Sequence, residues 1–284
     1  MKDIHKTIGF IGAGTMGEAM IGALISSGTC GASSITACDT NSERLETLKR
    51  TYAIHITEDS TSLFTRSDVV ILAVKPHIVG NVLQQIAGAK DYRIVQRKLV
   101  ISIAAGITIS KLEKFLYDPI DSTARRQLPI IRAMPNTPSL VMAGMSGMSP
   151  NPYATADDLN IARSILTAMG NVIEFKEADL DAVTAMSGSG PAYVFYYIES
   201  MIAAGAQVGL SAENASELAI TTIKGAVKLL EEKGDSPQHL RHLVTTPGGT
   251  TEAAIKVLET RHFQQTIVEA IAAAAEKSRE LGAR

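Results

Sequence analysis

A chain of 284 residues with 45% hydrophobic content can bury two cores of ordinary size, and its net charge of −2 is spread without a block of one sign. That balance, with a pI of about 6.3, argues against nucleic acid or a membrane surface as partner. Two cysteines, Cys30 and Cys38, are too few for a zinc cluster and suit a reducing compartment. The N-terminus MKDIHKTIGF runs almost at once into a strand-like segment and leaves no room for a signal peptide. No charge-free apolar run approaches the roughly 18 residues of a transmembrane helix, so a soluble cytoplasmic protein is expected.

Ile8–Ile11 is apolar apart from Gly9, and Gly12, Gly14 and Gly17 follow at the spacing G-x-G-x-x-G before an Ala-rich run to Leu24. Strand, glycine turn and helix is the order a dinucleotide pyrophosphate needs. Gly12 permits the turn, Gly14 lets backbone approach the phosphates, and Gly17 lets the helix lie close to the strand. The helix then aims its free N–H groups at the anion. An ordinary strand-to-helix turn can carry the same glycines; the flanking strand and helix patterns favour the nucleotide. Ile35–Cys38 is the second strand. Asp39 closes it, 22 residues beyond Gly17, where an acid accepts bonds from the adenine ribose and repels a 2′-phosphate. Thr40, Asn41, Ser42 and Arg44 follow and could hold that phosphate, so the choice between NADH and NADPH stays open.

Thr40 and Glu43 have capping-box spacing for a helix through Tyr52, and a short strand follows at Ile54–Ile56. Asp68–Val74 and Leu99–Ile103 are β-branched and apolar, as strands buried on both faces are. Ile109–Leu116 reads as helix, Tyr117–Leu128 as a polar surface loop, and Ile130–Ala133 as strand before the Pro-rich loop Met134–Pro138. Thr155–Met169 is an amphipathic helix stopped by Gly170, and Asn171–Phe175 is the last strand. Alternating strands and helices imply crossovers and a parallel sheet. Beyond Asp179 only helices are expected. Pro191–Val208 is apolar around most of its circumference and so must be buried on most sides. Ser211 caps a helix to Lys233, Ser236-Pro237 starts one to Val244, and Thr250–Leu281 forms the last, bent near His262. The expected fold is α/β: a Rossmann-type dinucleotide-binding domain over 1–175, then an all-helical domain over 176–284 whose surplus apolar surface points to a subunit interface.

Ligands of open α/β sheets bind beyond the carboxyl ends of the strands. GAGTMG, AVKPH, IAAG and AMPNTP fall at that edge. The small residues there leave room for ribose and nicotinamide. Lys75 either touches cofactor or is a solvated lysine, and Asn136, between Pro135 and Pro138, either borders the site or makes an Asx-turn. Thr245–Thr251 ends one helix at Pro247 and opens another. It offers unpaired N–H groups to a small carboxylate, or is simply a corner between helices. The turn Met186–Tyr193 permits close approach by a helix or by a flat ligand. The six histidines form no ligand pattern, so no metal is expected.

GFIGAGTMGEAM, AVKPH, SIAAGITI, IRAMPNTP, SGSGPAYVF, and PGGTT followed by VLE run in this order along nearly the whole chain and resemble the pyrroline-5-carboxylate reductase family. The glycine turn is common to many families; the combination of the other motifs is far more specific. The resemblance implies NAD(P)H-dependent reduction of 1-pyrroline-5-carboxylate to L-proline, the final step of proline biosynthesis. It also implies a helical domain that intertwines two chains, with dimers often assembling into decamers. It places cofactor contacts at Ile11, Gly12, Ala13, Gly14, Thr15, Met16, Ala73, Val74, Lys75, Pro76, Ile103, Ala104 and Ala105, to which the reading of the residues themselves adds Gly17, Asp39 and Asn136. The substrate would be held by Glu177, Ser187, Gly248, Gly249, Thr250 and Thr251, with the Thr251 hydroxyl facing the ring nitrogen as the catalytic group. Thr246 stands where the family commonly has Ser, and Asp39 conflicts with its usual NADPH preference. Two other readings remain: a dehydrogenase of the β-hydroxyacid type, although Lys224 and Lys228 lack the pattern around its catalytic lysine, and a non-catalytic nucleotide sensor. Loss of NAD(P)H absorbance with pyrroline carboxylate, but not with hydroxyacids run in reverse, separates the three.

Overall fold

Apolar, β-branched segments pair into one sheet wherever both of their faces find helices to cover them. The computed structural model, which describes residues 4–283, contains strands β1 (Ile8–Ile11), β2 (Ile35–Cys38), β3 (His55–Thr57), β4 (Val69–Leu72), β5 (Leu99–Ser102), β6 (Ile130–Met134), β7 (Gly144–Pro150) and β8 (Gly170–Glu174). Their order across the sheet is β3-β2-β1-β4-β5-β6-β7-β8. The first six run parallel and β7 is antiparallel to β6. Alternate residues feed opposite cores. Ile8, Phe10, Val69, Ile71, Leu99 and Ile101 lie in one, with α1 (Thr15–Ser26), α2 (Ser42–Tyr52) and α7 (Ala156–Thr167). Ile11, Val70, Leu72 and Val100 lie in the other, with α3 (Ser60–Arg66), α4 (Pro76–Ala87) and α5 (Ile109–Tyr117).

The chain order reverses between β1 and β4, the place where doubly wound sheets open a ligand crevice. Gly12 closes that junction. Its φ is +98°, and a Cβ there would lie 2.7 Å from the Ala73 carbonyl and the Val74 nitrogen. The backbone turn after β1 therefore rests directly on the turn after β4.

The structure departs from the sequence pattern in four places within this part. The strand β7, GMSGMSP, carries no β-branched residue and shows no strand signal. It pairs because its small residues admit what lies against it: a Cβ on Gly147 would stand 2.8 Å from Val183. The expected surface loop Tyr117–Leu128 contains α6 (Ser122–Arg126), and both its ends are buried. The Tyr117 hydroxyl donates to the Leu128 carbonyl at 2.5 Å and accepts from Asn151 at 2.8 Å, which accounts for a polar stretch being drawn inward. Helix α2 starts one residue later than expected, with Asn41 rather than Thr40 capping it. Asn136 makes no Asx-turn; its side chain is used over longer range.

Contacts divide the chain into Met1–Ser189 with Ala274–Arg284 on one side and Gly190–Ala273 on the other. A short helix α8 (Leu180–Val183) and a π-turn at Thr184–Gly188 end the long N-terminal segment. The helical unit comprises α9 (Gly190–Gln207), α10 (Ala212–Lys233), α11 (Pro237–Leu243), α12 (Thr250–Thr260) and the start of α13 (Phe263–Ala283), with His262 at φ +55° making the break between the last two. The sequence predicts α9 to be buried on most sides, yet within one chain none of its residues is buried. Phe195 is 56% exposed and Tyr196 73%. Among the described residues of this unit, Ala215 and Ala219 alone form a buried apolar core. Two alanines cannot offset the entropy of ordering five helices, so the apolar faces require a covering surface from outside this unit.

Lys98, at the head of β5, is 4% exposed, donates to the carbonyls of Ser67 and Thr65, and lies 5.3 Å from the Phe64 ring centroid. Burial pushes its ammonium down to about 8, against partial opposition from Asp68. The unfolded chain then binds this proton more tightly than the folded one, so folding stability attributable to Lys98 rises as pH climbs from about 8 toward the unfolded lysine value. Relative to Lys98→Met, the wild type should gain up to about 3 kcal/mol over that window. Urea titrations of both proteins at pH 7.5, 9 and 10 check this; a difference that is flat or falls with pH contradicts it.

Candidate active site

The carboxyl edge of the sheet gathers the cofactor residues expected from sequence. Ile11, Gly12 and Ala13 are buried, Gly14 and Thr15 are exposed, and Met16 is half-buried. Helix α1 begins on Gly14, which supplies no side-chain cap, and a Cβ built there would meet nothing within 4 Å. The first-turn N–H groups thus face open space with the positive end of the helix behind them, as a pyrophosphate requires. The Ala73 N–H donates to Ile11 O at 2.8 Å and the Ile103 N–H to Leu72 O at 3.1 Å. These bonds bring the turns at Ala73–Pro76 and Ile103–Ala105 alongside the glycine turn. Lys75 is exposed and starts α4 without a side-chain cap, with Pro76 in its first turn. A dinucleotide fits this edge: uncapped amides for its phosphates, and Ala73, Ala104 and Ala105 where bulk would block a ring.

Asp39 is turned toward the protein. Its Oδ2 accepts from the Ala13 N–H at 2.8 Å and its Oδ1 from the Asn41 N–H at 3.1 Å. Arg44, which the sequence offers as a phosphate ligand, donates from Nε to the Ala13 carbonyl at 2.9 Å and pairs with Glu18. Asn136 and Ser187, far apart in sequence, meet: the Asn136 amide donates to the Ser187 hydroxyl and carbonyl, each at 3.2 Å, and its oxygen accepts from the Met145 N–H at 2.9 Å. All polar atoms of that side chain serve the protein, so any part Asn136 plays toward cofactor is to shape the wall.

Glu177 also has internal partners. Its Oε1 accepts from the Ile109 N–H at 2.6 Å and from Arg132 at 3.3 Å. Arg132 is 4% exposed within β6 and lies 3.9 Å from Asp181, which in turn accepts from the Ser278 hydroxyl at 2.6 Å. Sequence reasoning passed over Arg132, although a lone arginine inside an otherwise apolar strand needs a buried acid.

In the helical unit, α12 starts on Gly249, again without a side-chain cap. Gly248 has φ +73°, its N–H donates to Glu252 Oε2 at 2.7 Å, and the Gly249 N–H donates to Thr246 O at 3.0 Å. Two of the four amides expected to receive substrate are therefore bonded internally, and those of Thr250 and Thr251 are left uncapped by any side chain. Glu252 was not singled out from sequence, although an acid in a helix's first turn next to a glycine corner is a recognisable signal.

Comparison with known proteins bears on this geometry. Residues 177–281 match the family model described as pyrroline-5-carboxylate reductase dimerisation, and residues 7–106 match that of NADP oxidoreductase, coenzyme F420-dependent. A pyrroline-5-carboxylate reductase of Synechocystis is 39% identical over 97% of this chain and 98% of its own. The chain belongs to the pyrroline-5-carboxylate reductase family. A solved reductase of Coxiella burnetii superposes with a TM-score of 0.86 at 37% identity, covering 97% of this chain and 98% of that one. One of Plasmodium falciparum, with NADP bound, gives 0.85 at 32%, covering 99% and 100%. The chain is thus an oxidoreductase of a C=N bond that uses NAD(P)H. Its helical half is a dimerisation domain, which explains the bare apolar faces of α9 and α10. Among the described residues no cluster of His, Cys, Asp and Glu could hold a metal ion, and no helix is long and apolar enough to cross a membrane.

Removing one acid from a buried arginine leaves a charge without full compensation. Glu177→Ala should therefore destabilise the protein by about 1–3 kcal/mol. Arg132 keeps Asp181, which holds the loss below that of a wholly orphaned charge. Urea unfolding at pH 7 measures it; an unchanged midpoint would show that Glu177 carries no structural share.

Proposed function

We propose that the site reduces the cyclic imine 1-pyrroline-5-carboxylate to L-proline, with the substrate seated at Gly248–Thr251. The observation that carries the reading is the uncapped start of α12: helix-terminal amides at Thr250 and Thr251 suit a small carboxylate, which the substrate has. When bound, the reduced nicotinamide supplies the hydride that the imine carbon accepts. Residues Ile11–Gly17, Ala73–Pro76 and Ile103–Ala105 would bind and orient it, with Ala73, Ala104 and Ala105 leaving room for its ring. The backbone amides of Thr250 and Thr251 fix the carboxylate and with it the ring. The Thr251 hydroxyl, which bonds to no other described residue, holds the ring nitrogen's proton through a hydrogen bond, so that the imine is presented in its more electrophilic form. Much of the rate then comes from proximity and orientation rather than from a strong acid. Within the sheet unit, Glu177 and Ser187 hold Arg132 and Asn136.

The same reading covers the assembly. The exposed aromatic start of α9 meets a second copy of the chain, and dimers join into decamers, as the family resemblance implies. We assign the cytoplasm, supported by a chain whose two cysteines, Cys30 and Cys38, are both buried, and no nucleic-acid or membrane partner, supported by the near-neutral charge.

Thr251→Ala should lower kcat/KM for pyrroline carboxylate roughly ten- to a hundredfold, the worth of a hydrogen bond to a charged group. Cofactor affinity should hold, and Thr251→Ser should keep most of the activity. A Thr251 that merely starts a helix would instead lower stability by about 1 kcal/mol and spare turnover. Steady-state kinetics and thermal midpoints on both variants decide; normal kinetics in Thr251→Ala removes the residue from the site.

A further inference from the structure

The peptide of Ala13 lies at the centre of the glycine turn, and both of its polar groups are held by side chains from the neighbouring β2-to-α2 segment. Asp39 accepts from its N–H at 2.8 Å, and Arg44 Nε donates to its carbonyl at 2.9 Å. Each gripping side chain is itself fixed. Asp39 takes a second backbone bond from Asn41 at 3.1 Å. Arg44 is paired with Glu18, in the first turn of α1. Glu18 also accepts from the Tyr52 hydroxyl at 3.3 Å, at the end of α2. Burial and the Glu18 carboxylate push the Tyr52 hydroxyl up, which keeps it a donor. The chain of contacts runs from α2 through the turn and back to α1.

We infer that Asp39 and Arg44 are positioning residues that clamp the Ala13 peptide and so set the direction of the uncapped α1 amides, instead of reading the ribose and its 2′-phosphate. The inference rests on the reading that this turn holds the dinucleotide pyrophosphate, and it names what keeps the turn in shape. Three arguments carry it. Ala13 is fully buried, so its peptide has no water to fall back on once either grip is lost. Gly14, the next residue, has no side chain and nothing within 4 Å of a built Cβ, so no side-chain contact of its own steadies the turn at that point. Both oxygens of Asp39 and the Nε of Arg44 are already committed to backbone, and the guanidinium's other end is held by an acid. A phosphate would have to displace Glu18 to reach Nη2.

The pyrophosphate is common to NADH and NADPH, so a loosened turn weakens both alike, whereas a residue that reads the ribose changes their ratio. The test measures dissociation constants of the full-length protein for NADH and NADPH by nucleotide fluorescence, with Arg44→Met, Arg44→Lys, Asp39→Ala and Asp39→Asn. Arg44→Met and Asp39→Ala should each raise both constants about five- to twentyfold, as loss of a charge-assisted bond does, by factors that agree within about twofold. Asp39→Asn keeps an oxygen opposite the Ala13 N–H and should recover most of the loss. Arg44→Lys keeps the charge near Glu18 but cannot present Nε and should resemble Arg44→Met. Tighter NADPH binding in Asp39→Ala, or selective loss of NADPH in Arg44→Met, would overturn the clamp in favour of ribose or phosphate readout. A lowered thermal midpoint with both constants unchanged would overturn it too, leaving a purely structural network. The readout is cofactor binding, so a wild type that binds dinucleotide but leaves pyrroline carboxylate unreduced defeats the proposed reaction and not the clamp.

Discussion

The contact on which the cofactor edge depends is the approach of Gly12 to the backbone of Ala73 and Val74. The two turns touch at the one place where the strand order reverses, and only a residue without a Cβ at positive φ permits it. From there the geometry spreads in both directions. The N–H of Ala73 reaches back to Ile11, the N–H of Ile103 reaches back to Leu72, and Gly17 brings α1 down onto the Gly12 carbonyl. Any side chain at Gly12 would have to separate β1 from β4, and these are the central strands of both cores. The same atoms thus serve the fold and the crevice.

What was legible in the sequence follows from this. The strands that lie between two helical layers had to be apolar throughout, so Val69–Leu72 and Leu99–Ser102 announce themselves, and the glycine turn follows from its spacing. The antiparallel β7 did not, because it is specified by what may not be present. Its glycines and serines admit Val183 and Leu180, and absence of bulk carries no periodic signal. The stretch after Tyr117 misled for the opposite reason. Its polar composition suggested solvent, while the Tyr117 hydroxyl and Asn151 pull its ends inward. For the site, the motifs name residues along the chain but leave open which way they face. Asp39, Asn136 and Glu177 each set an oxygen on a backbone amide 26, 9 and 68 positions away, which no local pattern announces.

The helical unit obeys a different constraint. Its apolar residues were read as a buried helix because no stable protein leaves such a face in water. The sequence called for burial on most sides, and its surplus of apolar surface pointed to a subunit interface as the cover. Within one chain α9 has no buried residue, and the match to a dimerisation model identifies the missing surface as a second copy. Folding of this unit is then tied to assembly, so its stability should carry a dependence on protein concentration that the sheet's cores do not require.

Helix capping connects the two halves. Helices α2, α3, α5, α6, α7, α10 and α11 each begin with a side chain that accepts from a first-turn amide: Asn41, Asp59, Thr108, Asp121, Thr155, Ser211 and Ser236. Helices α1 and α12 begin on Gly14 and Gly249, and α4 on Lys75, with no such bond. A side-chain cap in place of glycine is worth a few tenths of a kcal/mol at most sites, so the chain gives up little stability at these ends. What it retains is a set of amides without an internal acceptor. At α1 these face the crevice of the switch point; at α12 they lie where the substrate carboxylate is proposed to bind. An anion that arrives there supplies the missing cap, so ligand binding completes the helix instead of competing with a side chain already in place. The exception sharpens the point: Glu252 reaches back past the first turn of α12 to the Gly248 amide, fixing the corner while leaving the amides of Thr250 and Thr251 without a side-chain cap.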